Sequence, residues 1–179
     1  ISPSTPHDAF WMIQQAIASE DPVVFLEPKS RYWHKGPVDD SSPAAAMTEA
    51  AVVREGSDVT LVGHGAMVSM LLQAADVAQS EGVSAEVVDL RSLSPIDYRT
   101  LEESVTKTQR LVVAQEAPSQ ASVGSEIAAT MTEKAFYVME APVLRVSGFN
   151  TPFPPARLES QYLPDVDRIL DAVDRSMAY

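Results

Sequence analysis

The sequence predicts an α/β fold, a three-layer sandwich built on a mostly parallel sheet. Two observations predict it. After Ala51, short runs rich in valine and leucine alternate with longer stretches whose apolar residues recur at helical spacing. Those runs are nearly continuous in apolar character, as strands covered on both faces are, rather than alternating with polar residues. A composition of 45% hydrophobic residues over 179 positions supplies the core that such a sandwich needs.

The elements follow in order. Thr5-Pro6-His7-Asp8 precedes apolar residues at Phe10, Ile13, Ala16 and Ile17, so a capped helix is expected to about Ser19, where Asp21-Pro22 breaks it. "PVVFLEP" (22–28) is a short apolar run between prolines and reads as a buried strand. From Lys29 the chain turns polar, and "KGPVDDSSPAAAM" ends as a Pro/Ser/Ala-rich interdomain linker. "DVTLVGHG" (58–65) reads as a strand, and "AMVSMLLQAADVAQSEG" (66–82) as a helix stopped by Gly82. "SAEVVDLRSL" (84–93) is the next strand. Ser94-Pro95 is expected to open a helix that carries Tyr98, Leu101 and Val105 on one face. "RLVVAQE" (110–116) gives a third strand, and Val123, Ile127 and Met131 align on a further helix. "FYVME" and "VLRVSG" read as short strands about Ala141-Pro142. Leu163, Val166, Ile169, Leu170, Val173 and Met177 make the last segment an amphipathic helix.

The helix over 66–82 is apolar around most of its circumference. One side faces the sheet; the other has two readings, an interface with another domain or subunit, or partly exposed alanine and methionine.

The formal net charge of −12 speaks against nonspecific nucleic-acid binding, which needs a basic face, and suits a partner carrying Lys and Arg. No apolar run reaches the ~18 residues of a membrane span. The absence of cysteine excludes disulfides and thiolate chemistry. "ISPSTPHDAFWMIQQAI" enters loop chemistry at once without an initiator methionine, as part of a longer chain would.

Candidate chemistry is sparse. Gly63-His64-Gly65 ends a strand and opens a helix, so its backbone amides could cradle a phosphate, or it is simply a tight turn; GxGxxG and a phosphate-loop lysine are both missing. His7, His34 and His64 lack metal-ligand spacing, and no GxSxG elbow occurs. Glu116 after a strand reads as a general base, a cap or an interdomain hydrogen-bond acceptor. The segment assigns no catalytic, cofactor or metal ligand. "RVSGFNTPFPPARLE" (145–159) is too apolar for a solvent linker and too proline-rich for a helix. Pro152, Pro154 and Pro155 stiffen it, leaving Phe149 and Phe153 to bury against a neighbour or against their own core.

Six segments together carry a resemblance: "DPVVFLEPKSRYW", "EGSDVTLVGHGAMV", "AEVVDLRSLSPID", "SVTKTQRLVVAQEAP", "VGSEIAA" and "MEAPVLRVSGFNTPFP". In this order they resemble the beta subunit of the thiamine-dependent 2-oxoacid dehydrogenase decarboxylase component. "EAP" (116–118) and "NTPFP" (150–154) look more like the branched-chain branch than the pyruvate branch. That family usually has Asp where Asn150 stands, and often glycines near Ser119–Ser122, so both branches stay open.

The resemblance implies that residues 1–35 are the tail end of a pyrimidine-binding domain, 36–47 a linker, and 48–179 a transketolase C-terminal-like domain. It implies thiamine diphosphate and magnesium in the full enzyme, with none expected in this segment, which alone should be inactive. It implies three partners: an alpha subunit, a second beta subunit, and the basic binding domain of the dihydrolipoyl acyltransferase. Glu140 in "MEAPVLRV" matches the family's acidic docking position, and Tyr179 would supply the terminal carboxylate that relatives also use. No nucleic acid and no membrane is implied. The expected compartment is the cytoplasm, or the mitochondrial matrix in a eukaryote. A rival reading is a freestanding α/β ligand-binding module that uses the Gly63–Gly65 turn.

Overall fold

The chain after Ala50 alternates strand and helix as its periodicity demands. The elements are α1 (Pro6–Ala18), β1 (Ala51–Arg54), β2 (Val59–Gly63), α2 (Met67–Ser80), β3 (Ala85–Asp89), α3 (Tyr98–Thr108), β4 (Leu111–Pro118), α4 (Val123–Ala135), β5 (Leu144–Gly148), α5 (Glu159–Tyr162) and α6 (Val166–Met177). They come from a computed structural model that describes residues 1–41 and 45–179. Positions 42–44 of the expected linker lie outside the described residues.

One sheet runs in the order β1-β3-β2-β4-β5. β2 pairs parallel with β3 and β4, and β4 with β5; only β1 is antiparallel, on the edge beside β3. The period-two alternation of each strand sorts its side chains into two cores. Val59, Leu61, Val87, Val112 and Ala114 meet Leu71, Ala75, Ile169 and Val173 of α2 and α6. Val62, Val88, Leu111 and Val113 meet Leu101, Val105, Ile127 and Met131 of α3 and α4. A sheet covered on both faces is the three-layer sandwich expected, and it explains why β2 and β3 are buried at every position.

Side-chain caps set the starts of α1, α3, α4 and α6, while α2 and α5 have none. Thr5 accepts the Asp8 N–H at 3.0 Å, Ser122 the Ser125 N–H at 3.3 Å, and Asp165 the Arg168 N–H at 2.9 Å. Gly82, at φ +89°, ends the turn after α2, where Val83 N–H closes onto the Ala78 carbonyl at 2.9 Å.

Several expectations are corrected. β1 was not legible: its four residues are half exposed, and it is held by backbone pairing with β3 rather than by an apolar signal. "PVVFLEP" is extended but forms no strand. Among the described residues, its ladder-like bonds run to Ile1, where Leu26 N–H reaches the Ile1 carbonyl and the Ile1 ammonium reaches the Val24 carbonyl, both at 2.9 Å. Val24 is left 72% exposed, because no neighbouring strand among the described residues covers it. "FYVME" is a turn: Val138 and Met139 both donate to the Ala135 carbonyl, prolonging the helix end, and Tyr137 is 97% exposed. Ser94-Pro95 lies in a turn with a cis peptide bond, and α3 starts three residues later, where the Asp97 carboxylate accepts the Thr100 N–H at 3.2 Å. α6 begins at Val166, after Leu163, because Asp165 takes the cap position.

The second apolar side of α2 is largely satisfied within the domain. Met70, Leu72 and α6 residues Ile169, Ala172 and Val173 pack in one cluster with it, and Val77 is the large apolar residue left 39% exposed. The interdomain interface weighed for this helix is therefore mostly an intradomain contact with α6.

Candidate functional site

The carboxyl ends of the parallel strands are where doubly wound folds normally receive ligands. Here residues 1–8 occupy that end. Gly65 turns at φ +54°, and a Cβ added there would lie 2.6 Å from the Ser2 hydroxyl oxygen, so the Gly63–Gly65 turn is closed by the chain itself. Ser2 N–H donates to the Arg91 carbonyl at 2.8 Å. Ser4 donates its hydroxyl to the Asp89 carboxylate at 2.5 Å, and Arg91 N–H donates to the other oxygen of that carboxylate at 3.0 Å. Arg91 ion-pairs with Asp8 on α1 at 3.2 Å, and its guanidinium also donates to the carbonyls of Ala45, Ala46 and Glu49 at 3.3–3.4 Å. One buried arginine thus ties α1, residues 45–49 and the sheet together.

Burial pushes the Asp89 carboxyl up to about 6, against the hydrogen bonds from Ser4 and Arg91. Burial pushes His64 down to about 4, helped by the Ile1 ammonium. His64 is therefore a neutral turn residue. His7 accepts the Asp39 N–H on Nδ1 at 3.3 Å, and His34 is exposed. Among the described residues, no group of three or more His, Asp or Glu side chains could hold a metal. Nor is any helix long and apolar enough to cross a membrane.

Glu116 does not cap α4, since Ser122 does. Its carboxyl is held above the usual range by burial first and by neighbouring Glu159, with Arg31 from the N-terminal segment opposing both. Arg31 itself donates to the Ser69 hydroxyl on α2 at 3.1 Å. The N-terminal segment and the sheet domain therefore interact electrostatically at Glu116. Beside this seam a cavity of about 500 Å³ is lined by Ser4, Pro6, Ala9, Glu27, Arg31 and Trp33.

Two surface features remain. In the 145–159 loop, Phe149 and Phe153 both pack edge-on against Tyr162, at 6.2 and 5.1 Å between centroids, and the Arg168 guanidinium lies 4.9 Å above the Phe149 ring. Each phenylalanine is still more than half exposed, at 52% and 59%. One side of each ring is folded onto the domain and the other is open. The second feature is Glu140, half exposed where the 136–140 turn meets β4. Its N–H donates to the Gln109 carbonyl at 2.9 Å, and its carboxylate pairs with Arg110 at 2.7 Å. Arg110 also donates through Nε to the Ser176 carbonyl at 3.1 Å, three residues before exposed Tyr179. The structure thus joins Glu140 and the end of α6 through Arg110. Sequence reasoning missed this arginine, whose position at a strand entrance carries no motif.

The match to known families falls on this sheet domain. Residues 48–169 match the family model described as transketolase, C-terminal domain. The chain belongs to the transketolase C-terminal domain family. This transketolase C-terminal domain protein is 63% identical to the pyruvate dehydrogenase E1 component subunit beta of Leifsonia xyli subsp. xyli, across 100% of this chain and 53% of that one. It is 50% identical to the 3-methyl-2-oxobutanoate dehydrogenase subunit beta of Mycobacterium tuberculosis, across 98% of this chain and 51% of that one. It spans about half the length of the curated relatives it matches. A solved split-gene transketolase, described as an inactive beta4 tetramer, superposes with a TM-score of 0.80 at 28% identity, covering 99% of this chain and 56% of the other. The resemblance read from the six segments is therefore supported: relatives of this transketolase C-terminal domain protein are beta subunits of both the pyruvate and the branched-chain 2-oxoacid dehydrogenases.

Proposed function

We propose that the chain is the C-terminal part of the beta subunit of a thiamine-diphosphate-dependent 2-oxoacid dehydrogenase, and that within it this part serves assembly and docking. The carrying observation is identity of 63% and 50%, over essentially the whole chain, to beta subunits of two such enzymes. In the full enzyme the coenzyme, held with magnesium, supplies the nucleophilic carbon and electron sink for oxidative decarboxylation; this chain's residues are assigned to neither. Their role is to present surfaces: the Phe149–Phe153 loop towards the alpha subunit or a second beta subunit, and Glu140 with Tyr179 towards the basic binding domain of the dihydrolipoyl acyltransferase. The net charge of −12 supports that partner, because complementary charge speeds and orients docking. Residues 1–35 are read as the tail end of the pyrimidine-binding domain. The exposed Val24 and Leu26 of the extended 22–28 segment fit that reading, since they lack a strand to pair with among the described residues. The compartment proposed is the cytoplasm, or the mitochondrial matrix in a eukaryote.

Two substrate readings have support. The segments 116–118 and 150–154 favour branched-chain 2-oxoacids, and the relative at 63% identity favours pyruvate. Reconstituting the full-length beta chain with its alpha partner and comparing turnover of 3-methyl-2-oxobutanoate and pyruvate decides between them. Turnover of neither, or tight coenzyme binding by the 179-residue segment alone, overturns the proposal.

A further inference from the structure

We infer that Arg110 is the positioning residue of the docking face, holding the Glu140 carboxylate in fixed relation to the end of α6. The inference rests on the docking reading above and adds to it a residue to which the sequence alone assigned no role. Arg110 stands at the entrance to β4 with its side chain only 15% exposed. Its backbone is pinned, because its carbonyl accepts the Thr60 N–H at 2.9 Å and the Thr108 hydroxyl at 3.2 Å. From that fixed base the guanidinium forks: Nε donates to the Ser176 carbonyl at 3.1 Å, and Nη1 meets Glu140 Oε2 at 2.7 Å. The Glu140 backbone is fixed at the same strand entrance through Gln109.

A planar guanidinium can hold both acceptors at once, which a lysine ammonium on a flexible stem cannot do with the same geometry. The ion pair engages Oε2, so the second carboxylate oxygen of half-exposed Glu140 is left for a cation on the partner. The occupant that fits is a small domain with Lys and Arg on its contact face. Such a partner meets a carboxylate already ordered, and the ordering loss on binding is smaller. Two opposing effects have to be weighed. Arg110 subtracts one negative charge from the face, which slows long-range attraction slightly. It also fixes the acceptor, which lengthens the life of the complex. Partly buried geometry controls dissociation more than association, so the second effect dominates.

The test uses the full-length beta chain assembled with its alpha subunit, and the isolated basic binding domain of the acyltransferase as ligand, with association and dissociation rates measured separately. Arg110→Met is expected to raise the dissociation rate about tenfold while changing the association rate by less than about threefold. In a Glu140→Gln background, Arg110→Met should add nothing further, because its effect runs through Glu140. Arg110→Lys should restore part of the lifetime. Equal losses in the wild-type and Glu140→Gln backgrounds would show general packing and overturn the inference, as would a lowered melting temperature with dissociation unchanged. If Glu140→Gln weakens binding and Arg110→Met does not, only this inference fails. If Glu140→Gln leaves binding intact, the docking reading fails and takes this one with it.

Discussion

Arg91, 2% exposed inside the sheet domain, reaches 3.2 Å to Asp8 on α1. Among the ion pairs of the described residues it is the one that fastens α1 to the sheet domain, and three backbone carbonyls share the same guanidinium.

Arg91→Met should be strongly destabilising, by about 3 kcal/mol or more, because it leaves Asp8 unpaired and those carbonyls without their donor. Asp8→Asn should cost less, about 1–2 kcal/mol, since the carbonyls still solvate the cation. Urea unfolding checks both. An Arg91→Met protein as stable as the parent would refute the fastening role.

Asp89 and His64 should oppose each other in pH dependence. The unfolded-chain values are 3.8 and 6.5. Between about pH 4 and 6 the folded protein keeps a proton on Asp89 that the unfolded chain has released, so this group's contribution falls as pH rises. Between about pH 4 and 6.5 the unfolded chain holds a proton that folded His64 excludes, so its contribution rises with pH. Each amounts to about 3 kcal/mol over its window, and the two largely cancel. Asp89→Asn should unmask a rise in stability from about pH 4 to 6.5, and His64→Gln a fall. Unfolding midpoints across that range decide the matter, and parallel curves for both variants would contradict it.

Glu86 is fully buried in β3, opposite Thr60, with the Lys107 ammonium as its ionic partner. Lys107 also pairs with Glu55 at 2.7 Å, and these two carboxylates, Glu55 foremost, hold its pKa above the usual lysine value. Lys107→Met should destabilise by about 3 kcal/mol, because it strands a charge in the core. Adding Glu86→Leu should recover most of that loss. Chemical denaturation of the single and double variants tests this, and a double variant no better than the single would refute it.

Gly65→Ala should cost about 1–2 kcal/mol through its positive φ alone, and the clash with Ser2 adds to that. Ser2→Ala in the same protein should relieve only the second part. Full rescue, read by thermal melting, would show that backbone strain contributes nothing.

Most of the sandwich was legible because Val59–Gly63, Ala85–Asp89 and residues 111–115 are buried on both faces and interrupted by helices of clear apolar periodicity. What escaped lacked that signature. β1 is short and half exposed, and only its partner strand defines it. Phe136 and Tyr137 carry strong strand propensity, yet the carbonyl of Ala135 at a helix end decided their conformation. At the candidate site, Glu140 and Tyr179 were named through resemblance, whereas Arg110 was invisible. An arginine becomes readable only when its acceptors are known, and one of them, the Ser176 carbonyl, is 66 residues away.

The lodging of Ser2 and Ser4 against Gly65 and Asp89 has a practical consequence. In this protein the rim that other α/β folds leave vacant for a guest molecule is already tenanted by its own polypeptide. Anyone wishing to graft a new recognition loop there would first have to evict that tenant and would lose the fastening of α1 with it.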